Sequence, residues 1–412
     1  MIQVAMGGGA EDGKVGLRGR AADALRTGYG RDFWLVFAAT FALNLAGNLF
    51  VFFPMFIVRL GGGAAVIGAI ASVGSVAALA MRPGLGAFID WRGRRLTVLW
   101  SMLLEAIAIV LYTLVHSLGW PIYAVRMLHG AAEGTARVAL FAMVHEILPH
   151  GRRGEGMTLF SLCGIGPAAF GPVLGEALLN HFGFAAFFGS ASALCAGAAI
   201  TAKLLTDDRP QKAESSATVA GKRIGYWALI LDTNLMPLWI VAFAFAVAIS
   251  PRNNFVAPFA YQKGIARVGW YFSLYSGIAV VVRLLGGRLM DRIGIARILS
   301  PSLGLLGGGI VLLAFTGRIG ALMSAAVLGG LGHSYTYPAL SALVISHTPA
   351  GAVGRSSAVY TSLFDIAAMI APYLLGLAAA LWGYAPMFVI AGLVGVLGAV
   401  YFAAAERRRL AS

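Results

Sequence analysis

The chain has 412 residues, 59% of them hydrophobic and only 12% charged, with a mean hydropathy of +0.81. That leaves too little polar surface for a water-soluble globule, so the chain reads as an all-α integral membrane protein. The formal net charge of +14 invites a nucleic-acid partner, but the placement of the basic residues points to the bilayer instead.

A helix needs roughly 20 apolar residues to cross about 30 Å of hydrocarbon. Runs of that length recur between short polar breaks, which excludes a barrel of short alternating strands. Residues 1–31 mix Gly, Arg and acids without an apolar core, so they are expected to be a cytoplasmic tail and not a cleavable signal peptide. Spans one to six are predicted over 33–58, 64–88, 96–116, 121–147, 156–178 and 184–205, forming a first bundle over 32–205. The long polar break 206–235, with Asp207-Asp208-Arg209-Pro210 and Lys222-Arg223, reads as a cytoplasmic linker. Spans seven to twelve follow over 236–261, 266–289, 296–316, 320–345, 357–380 and 384–404, forming a second bundle over 236–405 before a short tail, 406–412. Most of the 31 Lys and Arg lie in the tails and even-numbered breaks, while Arg59, Lys263, Arg267 and Arg318 lie on the other side. This positive-inside pattern predicts cytoplasmic termini and a bacterial-type inner membrane. Arg407-Arg408-Arg409 then reads as a topological anchor.

Within span one, Asn44 and Asn48 stand at i and i+4, able to hydrogen-bond a ligand but unable to carry a proton. Between spans two and three runs Gly86-Ala-Phe-Ile-Asp90-Trp-Arg-Gly93-Arg94-Arg95, and the pattern Arg82, Gly86, Asp90, Gly93 returns as Arg283, Gly287, Asp291, Gly294 between spans eight and nine. The chain is a duplicated unit, and parallel six-helix repeats are a recurring transporter plan. Gly86 and Gly287 are expected where helices approach closely, and Gly93 and Gly294 in tight reversals. Asp90 and Asp291 can accept bonds from a helix N-terminus or pair with Arg94 or Arg297, as a latch or simply as part of a loop that holds topology. Glu105 in span three is expected on a peripheral helix as a structural partner.

Charges inside hydrocarbon are costly, so those that persist mark a transport path. In span four, Arg126, His129, Glu133 and Arg137 fall within a wedge of roughly 80° on one helical face. Glu133 can pair with either Arg; deprotonated it neutralises one, and protonated it releases that Arg to a substrate anion. The same residues also suit a permanent Glu133–Arg137 bridge that only sets packing. Span five carries Gly164, Pro167, Gly171, Pro172 and Gly175, read either as a bend at the interface between halves or as tight helix packing. Glu176 beyond them is a gate residue or a solvated one. Span seven brings Ser250, Arg252, Asn253 and Asn254; Arg252 either enters the cavity or snorkels to the interface. His333, Tyr335 and Tyr337 in span ten and Asp365 in span eleven offer a thinner polar set, in which His333 and Asp365 can relay a proton or, for His333, serve packing alone.

Three of these elements carry a resemblance. The duplicated Gly-x3-Asp-x2-Gly loop, Arg126-Met-Leu-His129-Gly130 (similar to an Arg-x-x-Gln-Gly element), and Gly164-Ile-Gly-Pro167-Ala-Ala-Phe-Gly171-Pro172-Val-Leu-Gly175 resemble the signatures of the major facilitator superfamily. The third resembles the motif of its drug and metabolite antiporter branch, with Glu176 where the last glycine usually stands. The resemblance implies two pseudo-symmetric six-helix bundles, twelve spans, and loops that latch in one access state.

Phosphate-binding loops, metal-ligand spacings and catalytic constellations are absent from the sequence, and Cys163 and Cys195 imply neither a disulfide nor a metal site. No enzyme activity or cofactor is expected. The expected function is secondary active transport of a small anionic or zwitterionic organic solute, by proton-coupled efflux and alternating access, with the chain working as a monomer. Proton coupling is assigned to Glu133, Asp365 and His333, and substrate contact to Arg126, His129, Asn44, Asn48, Arg252, Tyr335 and Tyr337. An uptake symporter or exchanger for an organic anion, and a non-transporting accessory or sensing protein, are the alternatives.

Overall fold

A computed structural model describes residues 29–148, 153–206, 225–349 and 351–411; most of the two expected hydrophilic segments, 1–28 and 207–224, lies outside the described residues. The described chain is helical, with no strand. Span one comprises Arg31–Leu49 and Phe53–Arg59, span two Ala64–Arg92, span three Arg94–Leu111 with the 3-10 turn Tyr112–Leu114, and span four Trp120–Ile147. Spans five and six share one helical run, Arg153–Lys203, broken at Gly183 by φ 76° and ψ −175°. A short helix, Tyr226–Ile230, precedes span seven, which comprises Met236–Asn254 and Val256–Gln262. Spans eight to twelve are Gly269–Ile293, Ile295–Leu313, Ile319–His347, Val353–Trp382 and Tyr384–Ala411.

Surface chemistry agrees with a bilayer. On span three, Trp100, Ile107 and Leu114 are exposed while Thr97, Ser101 and Glu105 are buried, the reverse of a helix facing water. Eight helical runs among the described residues are long and apolar enough to cross a membrane, the long Glu155–Lys203 run covering two crossings. Spans four, eight and ten fall outside that set, and they carry much of the polar chemistry described below.

Glycine ends the helices where the duplication predicts it. Gly93 and Gly294 take φ 83° and 93°, the left-handed region that costs other residues strain. Gly86 differs from expectation: no atom lies within 4 Å of where its Cβ would stand, because this end of span two packs through its neighbours Leu85 and Ile89 and leaves the Gly86 side open. The side chains of Asp90, Gly287 and Asp291 lie outside the described residues, and Arg94 is engaged by Glu146 of span four.

We call the end of the bundle at which the described chain begins and ends, at Tyr29 and Ala411, the near end and the opposite end the far end. Packing joins the halves at the far end. One hydrophobic cluster runs through the first half and continues into Phe255, Phe259, Phe272, Ala371, Leu375 and Phe388 of the second. The other cluster, around Trp239, Leu299, Leu340 and Phe402, is confined to the near end of the second half. At the far end Gly68 and Gly376 let spans two and eleven touch backbone to backbone: a Cβ on Gly376 would sit 2.6 Å from the Ala64 carbonyl. Spans one and seven both break before reaching the far end, at Phe50–Phe52 and at Phe255, just ahead of Pro54 and Pro258. Proline lacks the N–H that would continue the ladder, so the outer segments can tilt, and they pack on each other across the halves.

Candidate functional site

Span four is seated against span two by small residues. A Cβ on Gly130 would lie 2.8 Å from the Gly74 Cα, and one on Gly134 2.9 Å from the Ala78 Cβ. This small-x3-small pairing brings the two backbones close enough for the charged stripe of span four to be held at a set depth. Gly74 also makes room for Arg126, since a Cβ there would stand 2.5 Å from Nε.

The stripe divides into two groups. Toward the near end, Arg137 donates from Nε (3.1 Å) and Nη2 (2.7 Å) to Glu133 Oε1 and from Nη1 to Asn44 Oδ1 of span one (3.1 Å). The Arg137 side chain remains 46% exposed. Gly47 opposite leaves the space, its Cβ position being 3.2 Å from Arg137 Nη2. Toward the far end, about 16 Å along the helix, Arg126 lies 5.6 Å from the Phe53 ring centre and lines a small cavity with Asn253 and Asn254 of the second half. That cavity holds about 50 Å3, room for a water or two and too small for an organic solute. His129 turns away from it. Its ring is buried in the first half, with Tyr112 Oη 3.4 Å and Arg126 Nη1 3.3 Å from Nδ1, and Glu105 Oε1 3.8 Å from Nε2. His129 was expected to contact substrate; it instead packs against span three, because it sits at the edge of the stripe nearest that helix.

Glu105 was expected at the periphery. It is 1% exposed, and the lone acid in Leu-Leu-Glu105-Ala-Ile-Ala is itself a sequence signal of an enclosed charge.

In the second half, Arg252 lies over Tyr275 at 4.1 Å and donates to Asn253 Oδ1 (2.9 Å) and Ser276 Oγ (3.4 Å). His333 packs between the Tyr275 and Phe245 rings, and its Nδ1 has no hydrogen-bond partner among the described residues. Tyr337 stacks near Tyr360 and Phe364, while Tyr335 joins the near-end core of its own half. Asp365 is not grouped with His333. It receives Arg82 from span two at 2.5 and 2.9 Å, an ion pair across the halves. In the sequence Arg82 stands out only as a member of the repeat.

The span-five glycines face span one, within the first half. Gly171 lies over Asn48 and Gly175 over Leu49, with Cβ positions 2.8 Å from Asn48 Cβ and 3.2 Å from Leu49 Cα, whereas Gly164 has open space around it. Pro167 and Pro172 sit inside a continuous helix. What crosses to the other half is Glu176. Only 6% exposed, it accepts bonds from the Val268 and Gly269 N–H groups, both 2.8 Å, and from Tyr261 Oη at 3.0 Å. The carboxylate caps the first turn of span eight, where the helix dipole and unpaired N–H groups favour negative charge. A Cβ on Gly269 would lie 2.9 Å from the Pro172 carbonyl, so glycine is needed for the cap to close.

Comparison with known proteins gives a consistent picture. The family model for the Major Facilitator Superfamily matches residues 35–266 and 253–411. The chain is 21% identical over 87% of its length to the staphylopine export protein of Staphylococcus aureus, covering 91% of that protein. It is 25% identical over 79% of its length to the multidrug resistance protein MdtG of Dickeya zeae, covering 81% of it. Among solved structures, the nucleoside transporter NupG superposes with a TM-score of 0.77 at 14% identity, covering 91% of this chain and all of NupG. The human organic anion transporter MFSD10 gives 0.65 at 18%, covering 90% of this chain and 99% of MFSD10. Both likenesses speak to the fold.

Proposed function

The chain belongs to the Major Facilitator Superfamily, so it is a membrane transporter and not an enzyme, and from that premise we propose that it exports a small anionic or zwitterionic organic solute by proton-coupled alternating access. The observation that carries the reading is the span-four stripe, with Glu133 and Arg137 paired toward the near end and Arg126 meeting Asn253 and Asn254 of the other half. An anionic group of the solute is drawn to Arg126 or Arg137. A cationic group of a zwitterion takes the Glu133 carboxylate, the same group that a proton occupies, so solute and proton exclude each other there. Export is favoured over uptake because the relatives matched over most of the chain are named for staphylopine export and multidrug resistance.

Two seams support alternating access. The Glu176 cap and the Gly68–Gly376 contact hold the far end shut, while Arg82–Asp365 is a tie that protonation of Asp365 would weaken. The lysine and arginine distribution supports cytoplasmic termini and the inner membrane, so the near end would face the cytoplasm. The chain is expected to transport as a monomer.

The test compares metabolites inside and outside cells lacking the protein with those of cells expressing it or its Glu133→Gln form. A solute retained inside without the protein, and released again only by the unmodified form, supports export. Depletion of a solute from the medium only when the protein is present would replace export with uptake.

A further inference from the structure

Glu105 is the most enclosed acid of the first bundle, and the transport reading above leaves it unused. It sits mid-span three, 1% exposed, and its Oε2 has no hydrogen-bond partner among the described residues. The groups around it are few: His129 with Glu133, Arg126 and Arg137 beyond it on span four, Tyr112 on its own span, and the Cys195 thiol on span six. A carboxylate so placed loses its hydration and gains little in return, unless it holds a proton or faces a cation.

The tautomer of His129 follows from its neighbours. Arg126 Nη1 can only donate, and it faces Nδ1 at 3.3 Å, so Nδ1 carries the lone pair and Nε2 the hydrogen. That hydrogen is on the side of Glu105 Oε1, 3.8 Å away. On the other side of His129, Arg126 borders the small cavity between the halves, which is large enough for water. Cavity, Arg126, His129 and Glu105 therefore form a line from the seam of the halves into the first bundle.

We propose that Glu105 is a proton-binding site loaded through His129, with Arg126 as the group that closes the route. When Arg126 moves off Nδ1, a proton from cavity water binds there and makes the imidazolium. The Nε2 proton then passes to the Glu105 carboxylate, leaving neutral His129 with its hydrogen on Nδ1. One proton has entered and one carboxylate has been neutralised, and the ring returns when Nδ1 gives up its proton and Nε2 regains one. The site stands on geometry alone; its part in coupling rests on the proton-linked transport proposed above.

Infrared difference spectroscopy on the full-length protein in lipid nanodiscs, titrated with pH, tests the site without any cargo. A protonated-carboxyl C=O band that appears and disappears with pH is expected in the unmodified protein. It should be lost in Glu105→Gln, retained in Glu133→Gln, and slowed in its response to a pH jump in His129→Gln. Should Glu105→Gln not fold, Glu105→Asp with isotope-labelled aspartate should move the band to the labelled frequency. Absence of a titrating band from the unmodified protein, its persistence in Glu105→Gln, or its failure to follow the label in Glu105→Asp would overturn the proposal. A band that behaves as expected, in a protein whose cargo transport ignores a pH gradient, would leave the site standing and defeat the proton-linked reading instead.

Discussion

The two cations of span four have different surroundings, and substitutions should separate them. Arg137 bonds Glu133 through a single carboxylate oxygen, Oε1, and a glutamine there keeps an oxygen acceptor of the same shape in its place. Glu133→Gln should therefore leave thermal unfolding within a few degrees of the unmodified protein while abolishing pH-driven transport of the cargo. A large loss of melting temperature would instead assign the pair to packing. Glycine positions offer a second contrast. Gly130→Ala pushes a methyl into the Gly74 backbone and is expected to destabilise by about 1–3 kcal/mol, the usual range for overpacking. Gly86→Ala meets open space and should stay within about 0.5 kcal/mol. Unfolding of the two variants in the same detergent checks both.

At the scale of elements, the far-end seams are built differently although the halves are duplicates. Pro172 and Pro372, Gly183 and Gly383, and Glu176 and Gly376 hold matching places in spans five and eleven. Gly183 and Gly383 keep matching backbones, with φ 76° and 88°. Glu176 and Gly376 do not match: at both seams a glycine closes on a proline carbonyl, Gly68 on Pro372 and Gly269 on Pro172, but only the seam of spans five and eight adds a carboxylate on the N–H groups of Val268 and Gly269. Removing that cap should loosen one seam only. In Glu176→Ala, a cysteine introduced at Asn180 should react several-fold faster with a membrane-impermeant thiol reagent, and one introduced beside Gly68 should not. Glu176→Gln keeps the shape but loses the charge, so an intermediate rate is expected; equal rates in all forms would remove Glu176 from the gate. Across the near side, Asp365→Asn should weaken the Arg82 tie and shift the populations of the two access states, readable as a changed distance between spin labels on the near ends of spans two and eleven.

For the whole molecule, the membrane class, the number of crossings and the duplication were legible in the sequence because each rests on composition or on repetition along the chain. Apolar runs of bilayer length must become helices when no water is present to satisfy the backbone. Gly93 and Gly294 announced reversals because that conformation is cheap for glycine alone. The span-four stripe was legible through its 3.6-residue period, and its internal division was not. Periodicity places Arg126, His129, Glu133 and Arg137 on one face but cannot tell which neighbouring helix each will meet. Thus His129 went to Glu105 and Tyr112, Arg137 to Asn44, Asp365 to Arg82, and Glu176 to the start of span eight. These pairings join residues as far apart in sequence as Arg82 and Asp365. They arise only when small residues such as Gly74, Gly130 and Gly269 let particular helices come into contact. Solvation and local backbone sterics act on each segment by itself, so the sequence alone determined a duplicated twelve-span membrane protein with charges at mid-depth. Which charges face each other, and at which end the halves pack together, depends on the rotation and approach of whole helices, and only the tertiary structure decided it.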